Sequence, residues 1–220
     1  MERARTIGII RVITQDQERA DAHGRLIEQA FPQVRTVSRC IPDQPEGVHD
    51  AATKRAAEPK VVALARELAE AGVDGIIVSC ADDPGVAGAR AAVDVPVVGA
   101  GESVAAAAAL WKGAVGIIGI TPDAPPAFPR ILGERLLANL VPDDVRDTRD
   151  LNTPAGQRAG IAAARELASQ GAAVIALACT GFSTIGLAPK LEDAAGVPVL
   201  DPVTCEAKAL LTLLAKGPRA

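Results

Sequence analysis

Aromatic residues are almost missing from this chain: three Phe, one Trp and no Tyr. Stacking platforms for single-stranded nucleic acid are built from such rings, so that class of partner is excluded. A basic surplus is missing as well. Lys and Arg number 23 against 27 Asp and Glu, for a formal net charge of -4, which removes the electrostatic footprint of a polyanion binder. Histidine occurs twice and cysteine four times, with no CxxC and no paired Cys/His spacing. Zinc sites and thioredoxin-type redox motifs depend on those spacings. No apolar run reaches the roughly 18 residues of a membrane span; the stretch AAAAALWKGAVGIIGI is broken by Lys112 and by glycines. The opening MERARTIGII lacks the apolar segment and cleavage site of a signal peptide. The expectation is a cytoplasmic protein with reduced thiols. Its partner would be a small-molecule substrate, anionic in character, with neither nucleic acid nor membrane involved.

What is present is an ordinary globular composition, 49% hydrophobic and 23% charged over 220 residues. That suffices for one large domain or two small ones. Short β-branched runs alternate with helical segments. TIGIIRVIT (6–14) reads as a buried strand, followed by a helix from about Asp16 to Ala30 and a second strand, QVRTVSR (33–39). A polar connection with three prolines leads into the helix KVVALARELAEAG, the strand DGIIVSC, the helix GVAGARAAV, the strand VPVVG and the helix ESVAAAAALW. The second half repeats the order. AVGIIGIT (114–121) echoes the first strand, a helix is expected from Ala127 to Leu140, and Thr153 with Gln157 offers a capping signal for PAGQRAGIAAARELASQG. The strand AVIALAC, the helix IGLAPKLEDAAG, the strand VPVLDP and a helix from Thr204 to Ala215 complete it.

Strands that are apolar throughout, alternating with helices, indicate parallel sheets covered on both faces. Three landmarks recur in one order: Gly-Ile-Ile, a cysteine (Cys80, then Cys179) and Val-Pro-Val. The fold class expected is therefore α/β, two pseudo-symmetric parallel-sheet lobes with a cleft between them. The first lobe takes residues 1–98 plus a C-terminal helix over about 204–220, and the second takes 99–203.

Cys80 and Cys179 each end a strand ahead of a helix, at the sheet edge where ligands bind in open α/β folds. Helix-start N–H groups at that edge favour anions, thiolate among them. One thiol on each wall of a shared cleft suits inversion of a carbon beside a carbonyl: one group removes a proton and the other returns one to the opposite side. No metal and no organic cofactor is required. Cys205, inside a helix, reads as a small buried hydrophobe. Cys40 follows the second strand at the functional edge.

The residues around SCADDPGVAGARAAVDVPVVGAGE and ALACTGFSTIGLAPKLEDAAGVPVLDP resemble the aspartate/glutamate/hydantoin racemase superfamily, and the hydantoin racemase branch most. The resemblance covers nearly the whole chain. It implies a cofactor-independent racemase or epimerase of a small carboxylate, amino acid or hydantoin-like compound, with Cys80 and Cys179 as the opposed acid/base pair. Glutamate racemases resemble CNT and CTH at the two cysteines, where this chain has Cys80-Ala81-Asp82 and Cys179-Thr180-Gly181. Gly181 supplies no imidazole beside the second thiol, which tilts the substrate toward a more activated carbon such as that of a 5-substituted hydantoin. The Asn-Pro-Asn turn of hydantoin racemases is replaced by Thr14-Gln15-Asp16. Within the superfamily, a maleate-type cis–trans isomerase or a decarboxylase using one cysteine is the alternative. A non-catalytic two-lobe metabolite-binding protein is the alternative from another class.

Further candidates for substrate binding are Arg11, Thr14, Ser79, Ala81, Asp82, Thr121, Thr180 and Gly181. Arg11 either clamps a substrate carboxylate with two hydrogen bonds or pairs with an acid on the neighbouring helix. Asp82 either binds a substrate N–H or caps the helix starting near Pro84, with Asp83 as the other cap candidate. DQPEGVHD (43–50) has the length of a lid, with His49 expected at its surface. PDDVRDTRD (142–150) reads as solvated connection with local ion pairs. The Ala-rich run 105–109 suits a tight helix–helix contact, including one between subunits of a homo-oligomer.

Overall fold

The computed structural model describes residues 4–216, so the outer ends of the expected first lobe, 1–3 and 217–220, lie outside the described residues. The chain divides into two units, Met1–Ala100 with Glu206–Ala220, and Gly101–Cys205.

The first unit runs β1 (Arg5–Arg11), α1 (Gln17–Ala20), α2 (Ala22–Ala30), β2 (Val34–Cys40), α3 (Ala51–Glu70), β3 (Gly75–Val78), α4 (Val86–Ala92) and β4 (Val97–Gly99), and the chain leaves it at the first residue of α5 (Ala100–Ala109). Its sheet is all parallel in the order β2-β1-β3-β4. The second unit continues through β5 (Ala114–Ile118), α6 (Ala127–Leu132), β6 (Leu136–Leu140), α7 (Pro154–Ser169), β7 (Ala172–Leu177), α8 (Gly181–Thr184), α9 (Ala188–Ala195) and β8 (Val199–Leu200). Its sheet repeats the same order, β6-β5-β7-β8. The last helix, α10 (Pro202–Leu214), begins in the second unit and ends in the first.

The repeated Gly-Ile-Ile has a packing cause. A Cβ at Gly8 would lie 3.0 Å from Leu68 of α3, and one at Gly116 would lie 2.9 Å from Leu167 of α7. Each glycine opens the middle of a central strand so that a leucine of the covering helix can seat against it. The following isoleucines are fully buried, each contributing about 2 kcal/mol of apolar burial. In the second unit the strand alternation sorts the two faces. Val115, Ile117, Val174 and Ala176 pack with Val104, Ala108 and Phe128. Ile118, Ile175 and Leu177 pack with Ala164, Leu167 and Leu191.

The helix expected from Ala127 to Leu140 stops at Leu132. Gly133 turns the chain at φ 55 and a single 3-10 turn follows. Leu136–Leu140 is then an edge strand on β5. The run LLANL, four apolar residues and one Asn, fits helix or strand equally; Gly133 is the stop signal. Thr153 does cap α7, accepting from Gly156 N–H at 3.0 Å. The fuller capping box belongs to Asp50 and Thr53 at the start of α3.

Candidate active site

In each unit the strand order reverses at the central pair: β1 leads to β2 on one side, and the chain then crosses to β3 on the other. Ligands in open α/β sheets bind beyond the carboxyl ends at such a reversal. Cys80 stands two residues past the end of β3, and Cys179 two residues past the end of β7.

Cys179 is 7% exposed. Its sulfur accepts the Gly181 N–H at 3.4 Å and lies 3.6 Å from Thr148 Oγ1. Gly181 opens the one-turn helix α8, so its N–H has no carbonyl partner within that helix. An N–H aimed at sulfur favours the thiolate. The glycine is sterically dictated, since a Cβ there would overlap the Thr148 methyl and lie 3.3 Å from the Cys179 sulfur. Thr180 is the N-cap residue of α8 without a side-chain cap bond, and its carbonyl accepts from Thr184 N–H at 3.2 Å.

The Cys80 corner is built differently. Cys80 is half-buried, and its carbonyl accepts from Asp83 N–H at 3.0 Å in a turn that puts Asp83 at φ 50. Ala81 is buried. Asp82 is neither a helix cap nor a loose acceptor: its Oδ1 meets Lys54 Nζ at 3.0 Å, and Lys54 also donates to the Asp82 carbonyl at 2.9 Å. α4 begins at Val86 with Gly85 as N-cap, at φ 69 and without a side-chain cap bond. The expectation that Asp82 or Asp83 caps this helix is corrected accordingly, while the helix itself starts two residues beyond the expected Pro84. Gly85 is held to glycine both by its φ and by Glu58 O, which would lie 2.8 Å from a Cβ. Ser79, a substrate-binding candidate in the sequence, is turned inward. It is 2% exposed, and its hydroxyl donates to Glu206 Oε1 at 2.6 Å and lies 2.8 Å from His23 Nδ1.

The remaining candidates are placed as follows. Arg11 is 6% exposed, and its Nη1 donates to the Arg19 and Ala20 carbonyls at 3.1 Å each. It therefore ties β1 to the end of α1. Thr14 donates to the Ile41 carbonyl at 2.8 Å and accepts from Gln44 N–H at 2.7 Å. The expected lid is thereby stitched down, with Lys60 adding bonds to the Pro42 and Asp43 carbonyls. His49 lies on that connection half-buried rather than at the surface, with Nδ1 enclosed. Thr121 Oγ1 donates to the Asp123 carbonyl at 2.8 Å. Burial pushes the Cys40 thiol above its ordinary value, against a smaller opposing effect of the Gln15 backbone N–H. Cys205 is buried among apolar side chains of the second unit.

Sequence reasoning missed Thr148, His23 and Glu206. Thr148 sits in the segment read as solvated connection, and the ion pairs expected there do exist, Arg146–Asp150 at 3.2 Å and Arg149–Asp147 at 2.6 Å. A lone threonine between such pairs carries no signal of its own. Among the described residues no group of three or more His, Cys, Asp or Glu is placed to hold a metal ion, and no helix is long and apolar enough to cross a membrane.

Comparison with known proteins assigns the family. The profile of the Asp/Glu/Hydantoin racemase family matches residues 17–210. A hydantoin racemase of Rhizobium meliloti is 29% identical over 190 residues, 80% of this chain and 74% of the relative. Another from Pseudomonas sp. (strain NS671) is 30% identical over 174 residues, 72% of this chain and 66% of the relative. Among solved structures, the allantoin racemase of Klebsiella pneumoniae aligns with a TM-score of 0.83 at 24% identity, over 97% of this chain and 89% of that one. A glutamate racemase of Thermus thermophilus aligns at 0.69 and 20% identity, over 100% and 84%. At these identities the structural likenesses show a shared fold, while the sequence profile spans most of the chain; the protein belongs to the Asp/Glu/hydantoin racemase family and is an isomerase of that kind.

Proposed function

We propose that this racemase inverts an activated stereocentre of a small hydantoin-like compound, with Cys80 and Cys179 alternating as base and acid. One observation carries the reading: the two thiols occupy the same station, two residues beyond the equivalent strand, in two units of identical strand order. In the forward direction one thiolate takes the proton from the carbon beside the carbonyl and becomes a thiol. The electron pair moves onto the carbonyl oxygen as an enolate. The other thiol then delivers its proton to the opposite face and becomes the thiolate. The reverse reaction exchanges the roles, as acid and base groups of similar pKa permit. Backbone N–H groups and the Thr180 hydroxyl supply the donors for the enolate oxygen, the kind of stabilisation that usually contributes most.

Substrate class follows from what flanks the second thiol. Gly181 brings no acid or base, and Thr148 fills the space a side chain would need. A second thiol followed by Thr180-Gly181, with no imidazole or carboxylate at position 181, suits a carbon made acidic by a carbonyl and a ring nitrogen better than the carbon of a free amino acid. The names of the relatives, hydantoin racemases, agree with this.

The test is a proton NMR screen in D2O of 5-monosubstituted hydantoins, free amino acids and hydroxy acids. Loss of the α-proton signal with racemisation is expected for the hydantoins. Cys80→Ser and Cys179→Ser should each nearly abolish racemisation, while one-sided exchange of the α-hydrogen survives in a single variant. Full racemase activity in both variants would overturn the two-thiol mechanism. A covalent adduct on one cysteine with maleate would assign one-cysteine isomerase chemistry instead.

A further inference from the structure

The first unit holds a buried polar cluster for which the proton transfers have no use. His23 and Glu206 are fully buried, Ser79 is nearly so, and the Ser79 hydroxyl bridges them at 2.8 and 2.6 Å. Three elements distant in sequence meet there: α2, the residue after β3, and α10. A separation of 2.6 Å is that of a hydroxyl donating to a carboxylate, a strong charge-assisted bond. A hydroxyl has one proton, so with that proton given to Glu206 the His23 Nδ1 carries its own and donates to Ser79. The chain of donors then has a single direction.

Burying such groups is costly, and an apolar trio of the same shape would serve packing equally well. What distinguishes the cluster is its place. Ser79 immediately precedes Cys80. Its N–H is already fixed to β1 through the Ile10 carbonyl at 3.0 Å. Its side chain adds a second fastening, to α10 and α2. α10 itself is seated against β3, because Leu210, one turn beyond Glu206, occupies the space left by Gly75, where a Cβ would lie 2.8 Å from Leu210 Cδ1. The equivalent residue ahead of Cys179 is Ala178, which keeps the backbone bond, to the Ile118 carbonyl at 2.8 Å, and has no hydroxyl. The side-chain fastening is therefore specific to the Cys80 corner.

We infer that Glu206 and His23 are positioning residues which, through Ser79, hold the Ser79–Cys80 peptide in one orientation and so aim the Cys80 thiol. This deepens the two-thiol reading and rests on it. The test uses the whole enzyme with Ser79→Ala, Glu206→Ala and Glu206→Gln. Two quantities are measured: kcat and KM for racemisation, and the iodoacetamide alkylation rate of each cysteine by mass spectrometry. Ser79→Ala and Glu206→Ala should lower kcat about tenfold or more with KM nearly constant, as loss of aim does. The alkylation rate of Cys80 should shift severalfold while that of Cys179 holds. Glu206→Gln should restore most of both, because its amide oxygen still accepts from Ser79. Should Glu206→Ala fail to fold, Ser79→Ala, which keeps the backbone bond and nearly the same volume, carries the test. Unchanged Cys80 alkylation in Ser79→Ala, or equal changes at both cysteines, would overturn the inference. A fully active Cys80→Ser enzyme would instead remove the proton-transfer role of Cys80, and alkylation rates would still decide whether the cluster aims the thiol.

Discussion

The two cysteine corners stand at equivalent places and differ in the groups gathered around them. Cys179 is set by groups that touch its sulfur: the Gly181 N–H, the Thr148 hydroxyl, and a glycine whose missing side chain makes room for both. Cys80 is set from behind, through Ser79, Glu206 and His23, with the next helix starting six residues later and Asp82 engaged by Lys54. The repeated strand order delivers a thiol to the sheet edge in each unit, while the groups around it differ. A base and an acid that exchange roles need matched proton affinities, and matched affinities do not require matched surroundings.

The position two residues after each cysteine gives the sharpest way to break this comparison. Gly181→Ala forces a methyl into the Thr148 side chain and against sulfur, and overpacking of this kind costs about 1–3 kcal/mol. Displacement of the thiol should also lower kcat by roughly 100-fold. Asp82→Ala, at the matching position, removes a partly buried ion pair with Lys54 and brings no clash, a loss of about 1 kcal/mol. Thermal melting and racemisation rates of the two variants should therefore differ widely; equal effects would mean that the corners are alike after all. Next in size is Thr148→Val, which keeps the methyl and removes the hydroxyl. It should slow Cys179 alkylation and lower kcat by about threefold to tenfold, the worth of one modest hydrogen bond, while Cys80 alkylation stays as it was. Smaller still is Cys40→Ser. Burial holds the Cys40 thiol protonated beyond its ordinary range, so Cys40 should alkylate slowly at neutral pH and its loss should leave racemisation unchanged.

How much of this the sequence discloses depends on the range of the interaction that decides each point. The parallel sheets and the stations of Cys80 and Cys179 follow from local periodicity and from the repeated Gly-Ile-Ile; the strand order does not. Gly8 and Gly116 make sense once a leucine from a covering helix is placed over them. The edge strand Leu136–Leu140 reads as helix because five residues, four of them apolar, are too few to show a period. Ser79 reads as a substrate-binding candidate beside Cys80, yet its partners come from residues 23 and 206. No spacing rule connects positions 56 and 127 residues apart. Thr148 was hidden for the same reason, since what matters is its distance to a sulfur 31 residues away.

Thr148 depends in turn on the short turn that presents it, and there the smallest non-zero effect is expected. Arg146 donates to Asp150 from its backbone N–H at 3.0 Å and from Nε at 3.2 Å, and Asp150 N–H bonds the Asp147 carbonyl at 3.2 Å. The Arg146 side chain first, and its backbone N–H second, hold the Asp150 carboxyl below its ordinary value of 3.8. A carboxyl depressed in the folded state contributes stability that is fully present above the unfolded pKa and is lost as pH falls through the lower, folded one. Asp150→Asn cannot titrate, so the melting temperature of the variant should fall less steeply than that of the parent as the pH drops below about 4. Because the pair is exposed, the difference should shrink in high salt. At neutral pH the same variant should show slightly slower Cys179 alkylation and unaltered Cys80 alkylation. Acid limbs that superimpose in parent and variant would detach the carboxylate from the turn and leave Thr148 held to Cys179 by its own contacts alone.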